Sequence, residues 1–328
     1  MPRRPAPLPD AVRELAARQA GLVATRQCTA HGMSREQVVA RARAKTWEQV
    51  VHGVYDTGVP SPVDADPYDR RRRRSACLGL LAHPGSVATG LCALVLHGVQ
   101  GVPADVVPEV SMPTGAPRAA RPPVRLRRLA VERWDDVDGF RCTPAPEALV
   151  QALPGLPRLR GVALMDSLRH AGRLEDDVVE RLRSSARGRR GLARTHGWWD
   201  EIDGRAESPA ETWARLSCAD AGCAPDAVQL RVADRRGVVF ARVDLAWRLP
   251  DGGALFVEID GRDVHSTPAA VFADRTRQNR LDTRRTLVRR FTGADAWHGR
   301  VGVEVRRTLL DVGWRPRPVP AGAVYRLD

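Results

Sequence analysis

The chain has 328 residues, 43% of them hydrophobic and 28% charged, the balance of a globular protein with two or three domains rather than a disordered one. No apolar run approaches the roughly 18 residues of a membrane span, and MPRRPAPLPD has no apolar stretch behind its arginines, so neither a membrane nor a secretory route is expected and the cytoplasm is. Net charge is +13 with Lys45 the only lysine; a GC-rich coding bias explains arginine over lysine but not bases over acids, so a polyanion, nucleic acid, is the expected partner.

In chain order, residues 1–58 form the first segment. Pro9 to Ala20 has helical spacing at Val12, Leu15 and Ala16 and is stopped by Gly21. Thr25 caps a short second helix that His31-Gly32 ends. Ser34 and Gln37 form a capping box for a third helix, with Val38 and Val39 inward and Arg35, Arg41, Arg43 and Lys45 outward. Trp47 to Tyr55 (WEQVVHGVY) follows as a β-hairpin. Three small helices and a hairpin are the pattern of a winged helix-turn-helix domain. There the helix from Ser34 enters the major groove, carrying Arg35, Arg41, Arg43 and Lys45 to DNA.

Residues 61–205 read as an α/β middle region. Arg70 to Arg74 open a helix running through Leu78, Leu80 and Leu81, and can contact phosphates or simply coat a solvated helix end. Ser86 to His97 is a second helix, and Val107–Met112 and Val124–Leu129 are strands. Helices follow at Pro144–Leu153, Leu159–Ala171 and Leu174–Ser184, then a basic linker at Arg187–Arg194. The six cysteines (Cys28, Cys77, Cys92, Cys142, Cys218, Cys223) include no Cys-x-x-Cys pair and no accompanying His cluster. They are expected as buried free thiols rather than zinc ligands.

Residues 206–313 read helix, three strands, helix, strand, helix, with 314–328 as a tail. The helices are Ser208–Ala221, Thr267–Arg285 and Ala294–Leu310. The strands are Val228–Ala233, Val238–Trp247, Ala254–Asp260 and Leu287–Phe291. Period-two alternation puts Val243, Leu245 and Trp247 on one face and Arg242, Asp244 and Ala246 on the other. In the next strand it sets Leu255, Val257 and Ile259 against Phe256, Glu258 and Asp260. If these strands pair through their turn, Asp244 and Glu258 stand side by side. Two carboxylates there call for a cation, and oxygen ligands suit Mg²⁺ or Mn²⁺. Glu211 either completes a capping box with Ser208 or points at the sheet, and Asp260 either joins the site or serves the Gly261 turn.

The motifs Glu207-Ser208-Pro209-Ala210-Glu211, Arg242-Val243-Asp244-Leu245-Ala246-Trp247, Val257-Glu258-Ile259-Asp260-Gly261, His265, Asp274-Arg275, Arg277, Asn279 and Val288-Arg289-Arg290-Phe291 resemble the PD-(D/E)XK nuclease superfamily, closest to its very-short-patch-repair (Vsr-like) branch. The pattern from Gly21 through Ser34 to Gly53-Val54-Tyr55 resembles the winged-helix domain of AbiEi-type antitoxins, and the middle region resembles theirs. The resemblance implies an α-βββ-α-β restriction-endonuclease-like core. Its implied catalytic residues are Asp244, Glu258, Asp260, Glu211 and His265, with the metal on Asp244 and Glu258. Arg262, Arg275, Arg277 and Arg280 are implied on the DNA. The superfamily's lysine, two residues after the second acid, is replaced by Asp260, leaving Arg262, Arg275 and His265 as candidates to offset charge or move a proton. The implied activity is metal-dependent hydrolysis of DNA. The alternative is a transcriptional regulator of the type IV toxin-antitoxin kind, with a cognate toxin as partner and a nuclease-like domain that does not cut.

Overall fold

The computed structural model describes residues 7–61, 66–119, 121–260, 280–281, 283–316 and 324–327. These form a mixed α/β protein whose strands make three open sheets. They fall into two compact units, Met1–Leu156 with Asp176–His196, and Pro157–Glu175 with Gly197–Asp328.

In the first unit, α1 (Asp10–Arg18) buries Val12 and Ala16 and ends where Gly21, at φ +87°, donates back to Ala16 O. β1 (Leu22–Ala24) leads into α2 (Thr25–Ala30). The N-cap of α2 is Ala24 rather than Thr25. The Ala24 N–H donates to Gln27 Oε1 at 3.0 Å, while the Thr25 hydroxyl reaches across to Gly53 O. α3 (Arg35–Arg43) opens with the expected box: Ser34 Oγ accepts from Gln37 N at 3.2 Å, and Gln37 Oε1 accepts from Ser34 N at 2.8 Å. Of the two valines, Val38 alone is buried, with Ala42 packed beside it. Val39 is exposed, since successive helical residues point about 100° apart and so short a helix offers one narrow apolar stripe. β2 (Glu48–Val51) and β3 (Val54–Asp56) form the hairpin, and β1 joins it to give the order β1-β3-β2.

The same unit continues with α4 (Pro67–Ala82), capped by Asp66. The expected helix from Ser86 is instead a strand, β4 (Val87–Ala88), followed by α5 (Gly90–Leu96). β5 (Glu109–Ser111), β6 (Arg125–Arg127), β7 (Asp135–Val137) and β8 (Phe140–Cys142) complete a sheet ordered β6-β5-β4-β8-β7. α6 (Ala145–Ala152) follows. Next in the chain, α7 (Arg158–His170) belongs to the second unit, and α8 (Asp176–Ala186) returns to the first. All six cysteines are buried free thiols.

The second unit is built on a five-stranded sheet. Its elements are α9 (Pro209–Asp220), β9 (Ala227–Ala233), β10 (Val239–Arg248), β11 (Ala254–Asp260), β12 (Thr286–Thr292), α10 (Gly293–Trp297), α11 (Arg300–Asp311) and β13 (Val324–Arg326). Strand order is β12-β11-β10-β9-β13. The three central strands are antiparallel, β12 runs parallel to β11, and β13 runs parallel to β9. The expected helix over Ala294–Leu310 is broken by Gly299 at φ +76°, and part of the expected tail is strand β13. One face of the sheet packs Val228, Leu245, Trp247 and Val257 against Ala214 of α9 and Val305 of α11. Gly302 is required there, because a Cβ would stand 2.1 Å from Ser217 O. The opposite face holds Leu230, Val243, Ala246 and Phe256.

Val243 is therefore not on the face of Leu245 and Trp247, as simple alternation predicts. The alternation breaks on two paired strands at once: Val228 and Leu245 pack on one face, Leu230 and Val243 on the other. Between them stand Gln229, at φ +54°, and Asp244. A non-glycine residue in the left-handed region costs about 1–2 kcal/mol and re-aims its side chain. Here it does so at the carboxylate cluster.

Candidate active site

Three carboxylates and one amide meet at this break. Asp244 follows directly on the last β10–β11 pair, Leu245 with Val257, and Glu258 is its counterpart one step along β11. Asp244 Oδ2 accepts the Ile259 N–H at 2.7 Å, so the side chain takes a backbone acceptor's place where the ladder stops. Glu258 is buried, and its Oε2 accepts from Arg290 Nη2 at 2.7 Å; the two residues are register partners on β11 and β12.

Glu211 arrives from the first turn of α9, where it is tied to the Ser208 cap and also reaches the sheet. Ser208 Oγ accepts the Glu211 N–H at 3.3 Å, while Glu211 Oε1 takes the Ser208 hydroxyl at 2.7 Å and Oε2 the Glu207 N–H at 2.8 Å. These bonds fix the carboxylate, and the same Oε2 accepts from Gln229 Nε2 at 2.8 Å. Gln229 Nε2 is also 3.2 Å from Asp244 Oδ1, so one amide group ties the helix carboxylate to the strand carboxylate. Matched positions on four neighbouring strands thus carry Gln229, Asp244, Glu258 and Arg290.

Burial pushes the Asp244 carboxyl up to about 6. The Ile259 and Gln229 hydrogen bonds oppose this, and the negative charges of Glu211 and Glu258 add to it. The donor set is all oxygen and its charges repel, which is the chemistry a hard divalent cation relieves; in that sense Mg²⁺ or Mn²⁺ fits Asp244, Glu258 and Glu211. Among the described residues, no group of three or more His, Cys, Asp or Glu side chains is placed to hold a metal ion. The carboxylate oxygens are instead turned to Gln229, the Ile259 amide, Arg290 and Ser208.

Of the other expected site residues, Asp260 is exposed at the end of β11, paired in register with Thr292. Glu207 forms an ion pair with Arg242 beside the cluster. Arg280 lies with its guanidinium carbon 3.8 Å from the Phe240 ring centroid and its Nη2 3.5 Å from Asp234 Oδ2, which holds it to the sheet. His265, Arg262, Arg275 and Arg277 lie outside the described residues. Gln229 and Arg290 were not anticipated as site residues. A glutamine inside the run AVQLRVA carries no distinguishing pattern, and Arg290 is one arginine in the run VRR.

In the first unit, Arg35, Arg43 and Lys45 are exposed, while Arg41 stacks 5.4 Å from the Trp47 ring centroid. The arginine run of α4 is paired with acids, at the surface for Arg71 and partly buried for Arg72, Arg73 and Arg74. Arg71 pairs with Asp105, Arg72 with Asp69, Arg73 with Asp138 and Arg74 with Asp56.

No family model matches the chain. Two proteins of Mycobacterium tuberculosis are similar to it: Uncharacterized protein MT2308 of strain CDC 1551 / Oshkosh and Uncharacterized protein Rv2248 of strain ATCC 25618 / H37Rv. Each is 32% identical over 149 residues, which is 45% of this chain and 54% of the relative. The chain thus spans about half the length of the curated relatives it matches. No helix among the described residues is long and apolar enough to cross a membrane.

Proposed function

We propose that this is a DNA-binding protein whose second unit is a PD-(D/E)XK-like core hydrolysing phosphodiester bonds with Mg²⁺ or Mn²⁺. The observation that carries the reading is the meeting of Asp244 and Glu258, from adjacent strands, with Glu211 from the preceding helix at a break in the sheet. In this reading Asp244 and Glu258 hold the cation and Glu211 supports it through Gln229. The cation supplies an acidified water and charge stabilisation at the phosphate. Admitting it exchanges protein donors for the metal. Arg290 beside Glu258 offsets negative charge, the part a lysine at position 260 plays in the resembled family. Residues 1–58 of the first unit, read as a winged helix-turn-helix domain, bring Arg35, Arg43 and Lys45 of the α3 region to DNA.

Purified protein with supercoiled plasmid and Mg²⁺ or Mn²⁺ is expected to give nicked circles, and Asp244→Asn is expected to give none. Equal nicking by that variant sinks the reading. A second reading, a regulator of the AbiEi antitoxin kind with a cognate toxin and a non-cutting nuclease-like unit, is favoured by one observation. Asp260, exposed, stands where the lysine belongs. Tight duplex binding with no cleavage under either metal supports it.

A further inference from the structure

A groove of 480 Å³ in the first unit is lined by Thr25, Arg26 and Thr29 of α2, Arg35 and Val39 of α3, His52 and Gly53 of the hairpin turn, and Leu81, Pro84 and Arg121 from the region after it. Three guanidinium groups and an imidazole line this groove, and among the described residues no carboxylate does. The cations are held in place rather than merely present. Arg26 Nη1 donates to Leu81 O at 2.6 Å and Arg121 Nη1 to Ala82 O at 2.7 Å, so the last carbonyls of α4 fix both groups. That capping occupies part of each fork and leaves further N–H groups on the groove.

The like charges strain one another. Burial lowers the pKa of Arg26, and Arg121 lowers it further. Burial also lowers that of His83, with Arg121 and Arg118 adding to the effect. A concave surface with clustered, preoriented guanidinium groups and no acid among its described residues is built for an anion, and bidentate guanidinium suits phosphate.

The groove continues from the exposed face of α3, through Arg35 and Val39. We propose that it holds a backbone phosphate of duplex DNA, so that the DNA-contacting surface extends past the first 58 residues to Arg121. This rests on the DNA-binding reading above and adds a contact that the helix and hairpin alone do not supply.

The test is binding of the full chain to a labelled random-sequence duplex, by fluorescence anisotropy across a salt series. Arg121→Gln is expected to lower the slope of log K against log salt by about one, which is about a fivefold loss of affinity near physiological salt. Arg121→Lys, which keeps the charge, is expected to retain the slope. Arg35→Gln, whose side chain makes no bond to α4, is expected to lower the slope as Arg121→Gln does, and guards against a folding artefact. Wild-type slope and affinity in both glutamine variants, with Arg43→Gln still weakening binding, overturns the groove and leaves the DNA-binding reading intact. No duplex binding by the wild-type chain overturns both.

Discussion

The second unit contains two aspartates, Asp166 buried and Asp244 half-buried, with similar acidities and opposite surroundings. Asp166 of α7 is 1% exposed, and burial pushes its carboxyl up to about 6 against the pull of Arg215. Its Oδ1 accepts the Asp203 N–H at 2.7 Å, and its Oδ2 accepts Thr212 Oγ1 and Arg215 Nη2, each at 2.8 Å. Asp244, also near 6, faces two more carboxylates instead of an arginine. One helix serves both centres: α9 turns Glu211 to the sheet and Thr212 and Arg215 to α7. On the proposed reading, the contrast separates a carboxylate that holds a structure from one that would take a cation. The first has its counter-charge within the fold, and the second is surrounded by charge of its own sign.

The sharpest way to break that contrast is stability. Asp166→Ala strands Arg215, Thr212 and the Asp203 amide in the interior, so a loss of about 3–5 kcal/mol is expected in urea unfolding. Asp244→Ala gives up two hydrogen bonds but relieves repulsion, so its loss is expected at about 1 kcal/mol or less. Equal losses in the two variants would erase the distinction. Next in size is Arg290→Met, which removes the guanidinium 2.7 Å from the buried Glu258 carboxylate. Because Arg290 is partly exposed, the expected loss is about 2 kcal/mol rather than the full figure for a buried pair. An added Arg290→Met change in an Asp244→Asn background should cost less, since one neighbouring negative charge is gone; the double-mutant cycle measures this.

The pH dependence sharpens the same comparison. Both aspartates have folded acidities above the ordinary carboxylate value, so in each case the native state binds more protons between about pH 4 and 6. Stability therefore falls as pH rises through that window. Mn²⁺ should reverse the fall for Asp244 alone. Because the cation needs the ionised carboxylate, its affinity is expected to drop about tenfold per pH unit below about 6. Titration calorimetry at several pH values should show this in wild type and in Asp166→Asn but not in Asp244→Asn. A pH-independent affinity would place the cation elsewhere.

The Ser34–Gln37 capping box and the Ser208 cap of α9 were legible in the sequence because they are local, a hydroxyl and an acid or amide three residues apart; at Ser208 the Glu211 carboxylate takes the Ser208 hydroxyl and the Glu207 N–H in place of the N-cap N–H that a full box requires. The positions of Asp244 and Glu258 were legible because a carboxylate inside an apolar strand stands out. What escaped depended on nonlocal geometry. The strands β4, β7, β8 and β13 are two or three residues long, too short for alternation to declare itself, and they form only because partners are supplied from elsewhere in the chain. The helix Arg158–His170 read as part of the middle region. It packs in the second unit because Asp166 finds its donors on α9. The face of Val243 was misassigned because alternation assumes an unbroken strand, and the break is set by Gln229 on the neighbouring strand.

Gln229 gives the smallest and most discriminating effect, because two consequences of its replacement have opposite signs. Its backbone at φ +54° is strained for any residue but glycine, so Gln229→Gly should recover about 1 kcal/mol of that strain. The same substitution removes the amide shared by Glu211 and Asp244, which now holds the Asp244 acidity below what burial and repulsion alone would set. The Asp244 midpoint is therefore expected to rise in a carboxyl-carbon NMR titration, and the pH at which Mn²⁺ binds to rise with it, while unfolding stability is unchanged or slightly higher. A structural glutamine would show the reverse, a loss of stability with the midpoint unmoved. A gain in stability bought with a poorer cation site is the trade expected where backbone strain is kept to aim a side chain at a functional cluster.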